Sequence, residues 1–165
     1  MPVLNEEFGL KLSDQAIYEH TDANTRFYIA FKSQRVWKQL KDLFDIPDDT
    51  ISWKTPSFIR GVDKSLMRYY IQGFFDAEGG VPHNPAASKL YLSFTQRNYE
   101  SLEFIKDQLE TKWNIISGNL RVSDKKSRSW RFSITGRQSI KQFISKIGTQ
   151  HPSKRVRFSI ISDLI

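Results

Sequence analysis

The chain has 165 residues, 39% hydrophobic and 13% aromatic, which is enough for a packed interior and excludes wholesale disorder. It has no cysteine, which excludes disulfide frameworks, thiol nucleophiles and cysteine-based zinc sites. Its 25 Lys and Arg residues outnumber its 18 Asp and Glu residues, and the stretch from Lys112 to Arg157 holds twelve basic residues against one acid, Asp124. Such a concentration of positive charge favours binding to nucleic acid.

The first third of the chain predicts a hairpin followed by a helix. Phe8–Ser13 and Arg26–Phe31 alternate between apolar and polar residues, as two half-buried strands do. Ser33 is a suitable N-cap for a helix through Val36 and Leu40.

No apolar run approaches the roughly 20 residues of a membrane span. We therefore expect an intracellular protein without a membrane partner, cytoplasmic or, in a eukaryote, organellar.

The rest of the chain predicts alternating helices and strands. A helix starts near Asp63 and ends at Gly79–Gly80, because two glycines terminate a helical pattern. The elements predicted after it are a strand over Leu90–Gln96, a helix from Asn98, strands near Asn119–Ser123 and Ser129–Thr135, a helix through Ile140 that closes at Gly148, and a helix from Lys154.

Two parts of the chain look like copies of one strand–strand–helix unit. The paired segments are Gly9–Asp14 followed by Arg26–Phe31, and Gly118–Asp124 followed by Trp130–Ile134. Internal duplication of such a unit indicates pseudo-twofold symmetry around a shared core or ligand. The sequence thus predicts a partial repeat over residues 1–62 and a complete one over residues 63–165.

The most specific segment is Ile71–Gly79, an apolar helix that ends in an acid. Gly73 and Ala77 lie four residues apart on one face, so a second helix can approach the backbone closely. Two such helices would bring their Glu78 carboxylates together beside a basic surface, an arrangement that suits a hydrated divalent ion and a phosphodiester. The local pattern by itself favours an ordinary buried amphipathic helix with a solvated glutamate at its end.

This nonapeptide resembles the signature of the LAGLIDADG homing endonucleases. The resemblance extends to the flanking residues Ile59–Arg60, Asp63–Arg68 and Leu92–Gln96, and covers about residues 26–165. It implies an α+β fold in which a curved antiparallel sheet forms a saddle over double-stranded DNA. Helices cover the other face of the sheet, and the motif helix lies at a twofold or pseudo-twofold axis.

The resemblance also implies roles for single residues. Glu78 stands where the family has its metal-binding acid, for Mg²⁺ or another divalent cation such as Mn²⁺, and the carbonyl of Ala77 or Gly79 helps to position the metal. Asp76 takes a structural position. Gln96 matches a polar residue near the reacting water. A cation that stabilises the transition-state phosphate falls on Arg137, with Lys154 as the alternative.

Contacts between helices and with DNA follow from the same resemblance. The motif-helix interface falls on Gly73, Phe74 and Ala77. Strand positions that alternate with the core are expected to read bases in the major groove, and basic residues in the turn are expected to touch phosphates. The DNA-binding residues predicted in this way are Lys89, Tyr91, Ser93, Thr95, Arg97, Asn119, Arg121, Ser123, Lys125, Lys126, Arg128, Arg131, Ser133 and Lys154.

The chain carries one motif, whereas family members have two motifs in one chain or pair two one-motif chains. A homodimer preserves the chemistry most simply, since it supplies two Glu78 carboxylates; completion by a separate chain and a degenerate enzyme are the alternatives. The sequence therefore predicts a magnesium-dependent, intron-encoded homing endonuclease that hydrolyses double-stranded DNA at a long specific site. The alternative is a DNA- or RNA-binding protein without cleavage, such as an intron maturase or a regulator.

Overall fold

The computed structural model describes residues 6, 17–20, 26–29, 33–46, 54–124 and 128–165. The chain divides into two compact units, residues 1–46 and 47–165. The predicted boundary between residues 62 and 63 concerns sequence duplication, which compactness does not test, so it stays a prediction. Ile59 and Val62 pack against the core of the second unit.

The first unit, in the residues described, has a β-hairpin followed by helix α1. Strand β1, Ile17–His20, pairs antiparallel with β2, Arg26–Ile29. The strand predicted from residue 26 is confirmed, but its partner is β1; the other predicted strand, residues 8–13, lies outside the described residues. The predicted helix is also confirmed: α1 spans Gln34–Phe44, and the Ser33 hydroxyl caps it by accepting from the Val36 amide at 3.3 Å.

The second unit contains the predicted motif helix and the basic strands. Its elements in chain order are a 3₁₀ turn Ser57–Gly61, α2 Lys64–Glu78, β3 Gly79–Gly80, β4 Leu92–Gln96, α3 Tyr99–Trp113, β5 Arg121–Asp124, β6 Ser129–Ile134, α4 Arg137–Lys146 and α5 Pro152–Leu164. The four helices and three strands predicted from Asp63 onward are thus confirmed in type and order. None of the described helices is long and apolar enough to cross a membrane.

The four strands of this unit form one antiparallel sheet in the order β3–β4–β6–β5. Gly79 pairs with Phe94, and Phe94 pairs with Phe132 on its other side. Strands β4 and β5 begin two residues later than predicted, so Lys89, Tyr91 and Asn119 precede the ladder. Next to Asn119, the Gly118 amide donates to the Ser133 carbonyl at 2.8 Å. The regular ladder between β5 and β6 begins only after this bond.

Helices cover one face of the sheet and enclose the core. Phe94 and Phe132 stack with ring centroids 4.9 Å apart, and Phe75 of α2 packs on Phe94 at 5.2 Å and on Phe143 of α4 at 4.9 Å. Gly148, with φ of +71°, supports the sharp connection between α4 and α5, because glycine adopts this left-handed conformation without strain. The aromatic cluster therefore joins α2 to both the sheet and α4.

The N-cap of α3 offers a direct stability test. The Asn98 side-chain oxygen accepts from the Ser101 amide at 2.8 Å. Asn98→Ala is expected to lower the free energy of unfolding by about 1 kcal/mol, since a helix amide loses its partner. Urea denaturation measures the change. Asn98→Ser keeps a capping oxygen and should retain most of the stability; an alanine variant as stable as the parent contradicts the cap.

Candidate functional site

A cleft of about 490 Å³ runs along the exposed side of α2. It ends where the helix passes without a loop into β3, which pairs with β4 through Gly79 and Phe94. This register puts Glu78, the last residue of α2, beside the end of β4 that carries Gln96. The cleft is lined by Tyr69, Tyr70, Gly73, Phe74, Ala77, Glu78 and Gln96. The structure therefore brings together two of the three predicted catalytic residues.

The predicted interface residues on α2 differ in exposure. Gly73 and Ala77 are exposed, together with Leu66 and with Tyr69, which is 61% exposed, so they form a stripe along the helix. Phe74 is buried at the floor of the cleft, against the chain's own core. A second helix can thus reach the small residues closely, whereas Phe74 contributes mainly to the core of its own unit.

The amide of Gln96 makes a local hydrogen bond that fixes its orientation. Its side-chain oxygen accepts from the backbone amide of Arg97 at 2.7 Å. Arg97 is exposed and follows the strand directly. Tyr70, on the other side of the cleft, hydrogen-bonds Thr55 through its hydroxyl at 2.9 Å, and burial raises its pKa, so it remains protonated. The cleft thus has polar groups at both ends of an apolar floor.

Lys154 has a different place from the one predicted. Its side chain is buried, and the ammonium donates to the carbonyl oxygens of Phe75 at 2.6 Å and Asp76 at 2.8 Å, in the last turn of α2. Burial lowers the pKa of Lys154, and the carboxylates of Asp76 and Glu78 partly offset this. The expectation of a DNA or transition-state contact is corrected here, because the ammonium is occupied inside the protein.

Asp76 takes the structural role that the resemblance implied. Its carboxylate accepts from the Thr149 hydroxyl and from the Gln150 amide, the latter at 3.0 Å. Four residues earlier, the buried Gln72 amide donates to the carbonyl of Ile147 at 2.7 Å. These bonds join α2 to the connection between α4 and α5.

Arg137 lies outside the cleft. It begins α4, after β6 has run from Trp130, beside Gln96, to Ile134, beside Leu92. A strand rises about 3.3 Å per residue, so Arg137 follows a position some 13 Å from the Gln96 end of β4. Arg137 does not line the cleft, so its predicted contact with the transition-state phosphate stays a prediction.

The outward face of the sheet presents two arginines opposite each other. Arg121 of β5 pairs with Arg131 of β6, which pairs in turn with Thr95 of β4. The Nε of Arg131 donates to the Thr95 hydroxyl at 3.0 Å, which fixes its side chain. Like charges directly opposite each other destabilise a sheet. A polyanion bound at this row would relieve the repulsion.

The remaining predicted DNA-binding residues fall into three groups. Ser93, paired with Ser133, is only 2% exposed, so the expectation of an outward contact is corrected for Ser93. Lys125 and Lys126 lie outside the described residues. The other positions, with Tyr91 and Ser133 half-buried and the rest exposed, are Lys89, Tyr91, Arg97, Asn119, Ser123, Arg128 and Ser133. Asn119 borders a second cleft, which carries three acids of α3 and Lys106.

The family of the chain follows from its matches to known proteins. The model of the LAGLIDADG-like domain matches residues 65–148, half of the chain. The chain belongs to the LAGLIDADG family. It is 29% identical over 132 residues to homing endonuclease I-ApeI of Aeropyrum pernix, a match that covers 78% of this chain and 57% of I-ApeI. It therefore spans less than two thirds of that relative.

Solved structures share the LAGLIDADG fold. The crystal structure of I-DmoI in complex with DNA and Mn superposes with a TM-score of 0.60 at 18% identity, over 90% of this chain and 70% of that chain. Full-length DUF199/WhiA from Thermatoga maritima gives 0.52 at 15% identity, over 99% of this chain and 49% of that chain. The predicted fold class is confirmed.

The donor set at the LAGLIDADG helix end suits a hard divalent cation. Glu78 offers an exposed carboxylate, and Gln96, which carries an amide oxygen, lines the same cleft; the carbonyls of Ala77 and Gly79 flank Glu78 in sequence, and their part in metal binding stays a prediction. Oxygen ligands suit Mg²⁺ and Mn²⁺, and Mg²⁺ keeps several waters while binding one or two carboxylates. The described part of the chain holds no cluster of three or more His, Asp or Glu side chains that could bind a metal. A hydrated ion held by a single carboxylate therefore fits these residues better than a closed metal cage.

Two residues of this site are absent from the sequence-based prediction. Tyr69 and Tyr70 line the cleft, and their spacing of four and three residues before Gly73 could have placed them on the same helical stripe. The packing role of Lys154 had no local signal, because its partners lie 78 and 79 positions away.

The close contact beneath Gly79 gives a second stability prediction. A Cβ at this position would overlap the ring and the carbonyl of Phe75, and that ring is fully buried among others. Gly79→Ala is expected to destabilise the protein by about 1–3 kcal/mol. Gly73→Ala is the matched control: nothing lies within 4 Å of its new Cβ, so about 0.5–1 kcal/mol of added stability is expected. Thermal melts compare the two variants, and equal effects would contradict the packing.

Proposed function

We propose that the chain is part of a metal-dependent, homing-type endonuclease that cuts double-stranded DNA at a long specific site. The observation that carries this proposal is the meeting of Glu78 and Gln96 at the edge of a sheet whose outer face presents Arg121 and Arg131. A carboxylate beside a row of cations suits a phosphodiester substrate. The similarity to a homing endonuclease, I-ApeI, supports the same class. We place the protein inside the cell and its gene in an intron.

In DNA hydrolysis, the sheet face, Gln96 and Glu78 would each have a separate role. The sheet face would hold the DNA backbone and bases, Gln96 would orient a water through its amide, and Glu78 would hold the cation. A bound Mg²⁺ or Mn²⁺ would supply Lewis-acid stabilisation of the phosphate. The solved complex of I-DmoI with DNA and Mn supports a divalent metal.

A homodimer is the assembly we propose, with completion by a complementary chain as the alternative. Of the described residues that line the cleft, Glu78 is the one acid. The exposed Gly73 and Ala77 permit a second α2 to approach closely, which would bring two Glu78 carboxylates to one axis. A double-strand cut needs both.

A DNA- or RNA-binding protein without cleavage, such as a maturase or a regulator, is the second candidate. The single carboxylate in the cleft favours it for the chain on its own. The two candidates differ in what a divalent metal does: the nuclease cuts DNA in Mg²⁺ and stops in EDTA, whereas the non-cleaving protein leaves the duplex uncut in both.

The testing experiment uses purified protein and a library of randomised duplexes. Cut duplexes are selected in Mg²⁺ and sequenced, and the solution mass is measured with and without the selected duplex. We expect Mg²⁺-dependent double-strand cuts that stop in EDTA, together with a dimer of about twice 19.3 kDa on DNA. Recovery of bound but uncut duplexes, with a monomer throughout, would establish the non-cleaving binder instead.

The opposed arginines give a prediction for DNA affinity. The double change Arg121→Gln and Arg131→Gln is expected to weaken DNA binding about tenfold or more and to reduce its salt dependence, because phosphate or guanine contacts are lost. Folding stability should change little, since removal of a like-charge pair offsets the loss of the Arg131–Thr95 hydrogen bond. Lys141→Gln with Lys146→Gln on α4 changes net charge equally. Fluorescence anisotropy at several salt concentrations compares the two, and equal losses would refute a specific role for the sheet face.

A further inference from the structure

The last turn of α2 is held by a clamp of side chains that do not line the cleft. We define the clamp as Lys154, Asp76 and Thr149. Lys154 donates to two carbonyls of α2, and Asp76 of α2 accepts from Thr149 and the Gln150 amide. We propose that Lys154, through this clamp, is a positioning residue that holds Glu78 in place for metal binding. The inference rests on the proposed metal role of Glu78.

The clamp acts where a helix is otherwise weakest. The last four carbonyls of an α-helix lack partners within the helix, and helix ends fray. Here the Phe75 carbonyl accepts from both the Gly79 amide and Lys154, and the Asp76 carbonyl accepts from Lys154. The backbone on both sides of residue 77 is thereby fixed, so the Cα of Glu78 has a defined position.

The charge of Lys154 matters as well as its hydrogen bonds. The C-terminal end of a helix carries a partial negative charge, which disfavours an acid there. Glu78 is the last residue of α2, and the buried ammonium of Lys154 lies on the terminal carbonyls. It offsets the helix dipole at the end that carries the acid. The ring of Phe75, 5.1 Å from the ammonium, packs against the same cation.

The clamp belongs to this unit's interior and not to its DNA surface. Thr149 and Lys154 are 8% and 9% exposed, and Gln72 ties the neighbouring Ile147 carbonyl to the same helix. Hydrogen bonds at Gln72, Phe75 and Asp76 therefore fasten α2 to α5 and to the connection that precedes it. A change in that connection would shift Glu78 without touching DNA or metal.

The test uses Lys154→Met, which removes the ammonium and keeps most of the side-chain volume. Amide hydrogen exchange of the free protein reports the helix end, and Mn²⁺-induced broadening of the Gly79 amide signal reports metal binding. We expect about tenfold faster exchange at Gly79, unchanged exchange within α3, and about a tenfold higher half-saturating Mn²⁺ concentration. DNA affinity in EDTA should stay within twofold.

Ser101→Ala is the matched control. It removes a buried hydroxyl that accepts from the Thr55 amide at 2.8 Å, and it does not line the cleft. It should lower the melting temperature without moving the Mn²⁺ midpoint. Thr149→Val breaks the second arm of the clamp with a side chain of equal size; it should shift the midpoint in the same direction and replaces Lys154→Met if that variant does not fold.

The outcomes separate this inference from the proposed function. Unchanged Gly79 exchange and an unchanged Mn²⁺ midpoint in both clamp variants overturn the inference, even if the parent protein cuts DNA. A loss of DNA affinity in EDTA with an unchanged midpoint also overturns it and makes Lys154 a DNA contact. If both readouts shift but the parent cuts no duplex, the clamp stands and the nuclease proposal fails.

Discussion

Glu78→Gln is expected to lower the rate of metal-dependent DNA cleavage by a factor on the order of 10³ or more. The side chain is exposed at the end of α2 and is the one acid among the described residues lining the cleft, so no neighbouring carboxylate can replace it. Glutamine keeps the shape and removes the charge that holds a divalent cation. Single-turnover cleavage of the selected duplex measures the loss.

DNA binding by this variant provides the internal check. Affinity in EDTA is expected to stay within twofold, because the sheet face that carries Arg121 and Arg131 is unchanged. Glu100→Gln, an exposed acid in the first turn of α3, removes the same charge elsewhere and should cut at the parent rate. A Glu78→Gln variant that retains most of its cleavage would remove Glu78 from the reaction.

Phe75→Ala is expected to lower the free energy of unfolding by about 3–5 kcal/mol. The ring is fully buried and contacts Phe94, Phe143 and Phe158 with centroids 5.2, 4.9 and 5.7 Å away. Its removal leaves a cavity where α2, β4, α4 and α5 meet. Because native domains are stable by only about 5–15 kcal/mol, this variant is expected to be partly unfolded at 37 °C.

Equilibrium urea denaturation at low temperature measures this change in the free energy of unfolding. Phe75→Leu refills most of the volume and should cost less than the alanine change, by roughly half or more. Tyr69→Ala on the exposed side of the same helix serves as the surface control, with a change within about 0.5 kcal/mol. A loss below about 1 kcal/mol for Phe75→Ala would mean that the cluster does not join the elements.

Several elements follow from the sequence because their signals are local. Asp63 accepts from the Leu66 amide at 2.9 Å and starts α2, and Gly79 ends it, as the capping residues indicated. Ser33 and Asn98 begin their helices for the same reason. Caps and helical periodicity act within four residues, so a single sequence contains them.

Strand pairing was predicted less well. Arg26–Ile29 pairs with Ile17–His20, a segment for which no strand was predicted, and β4 and β5 start later than the pattern suggested. A strand's edge depends on where its partner begins, and that partner is distant in sequence. Pairing therefore has to be decided by the packed sheet.

The sequence by itself determined the family motif, the acid at the end of its helix and the concentration of positive charge. These depend on residue identity and short spacings. Only the tertiary structure decided that Gln96 and Glu78 line one cleft, that Arg137 does not line it, and that Lys154 binds the carbonyls of α2. Sheet register and helix docking bring residues together across dozens of positions, and no local pattern specifies which side chains then meet.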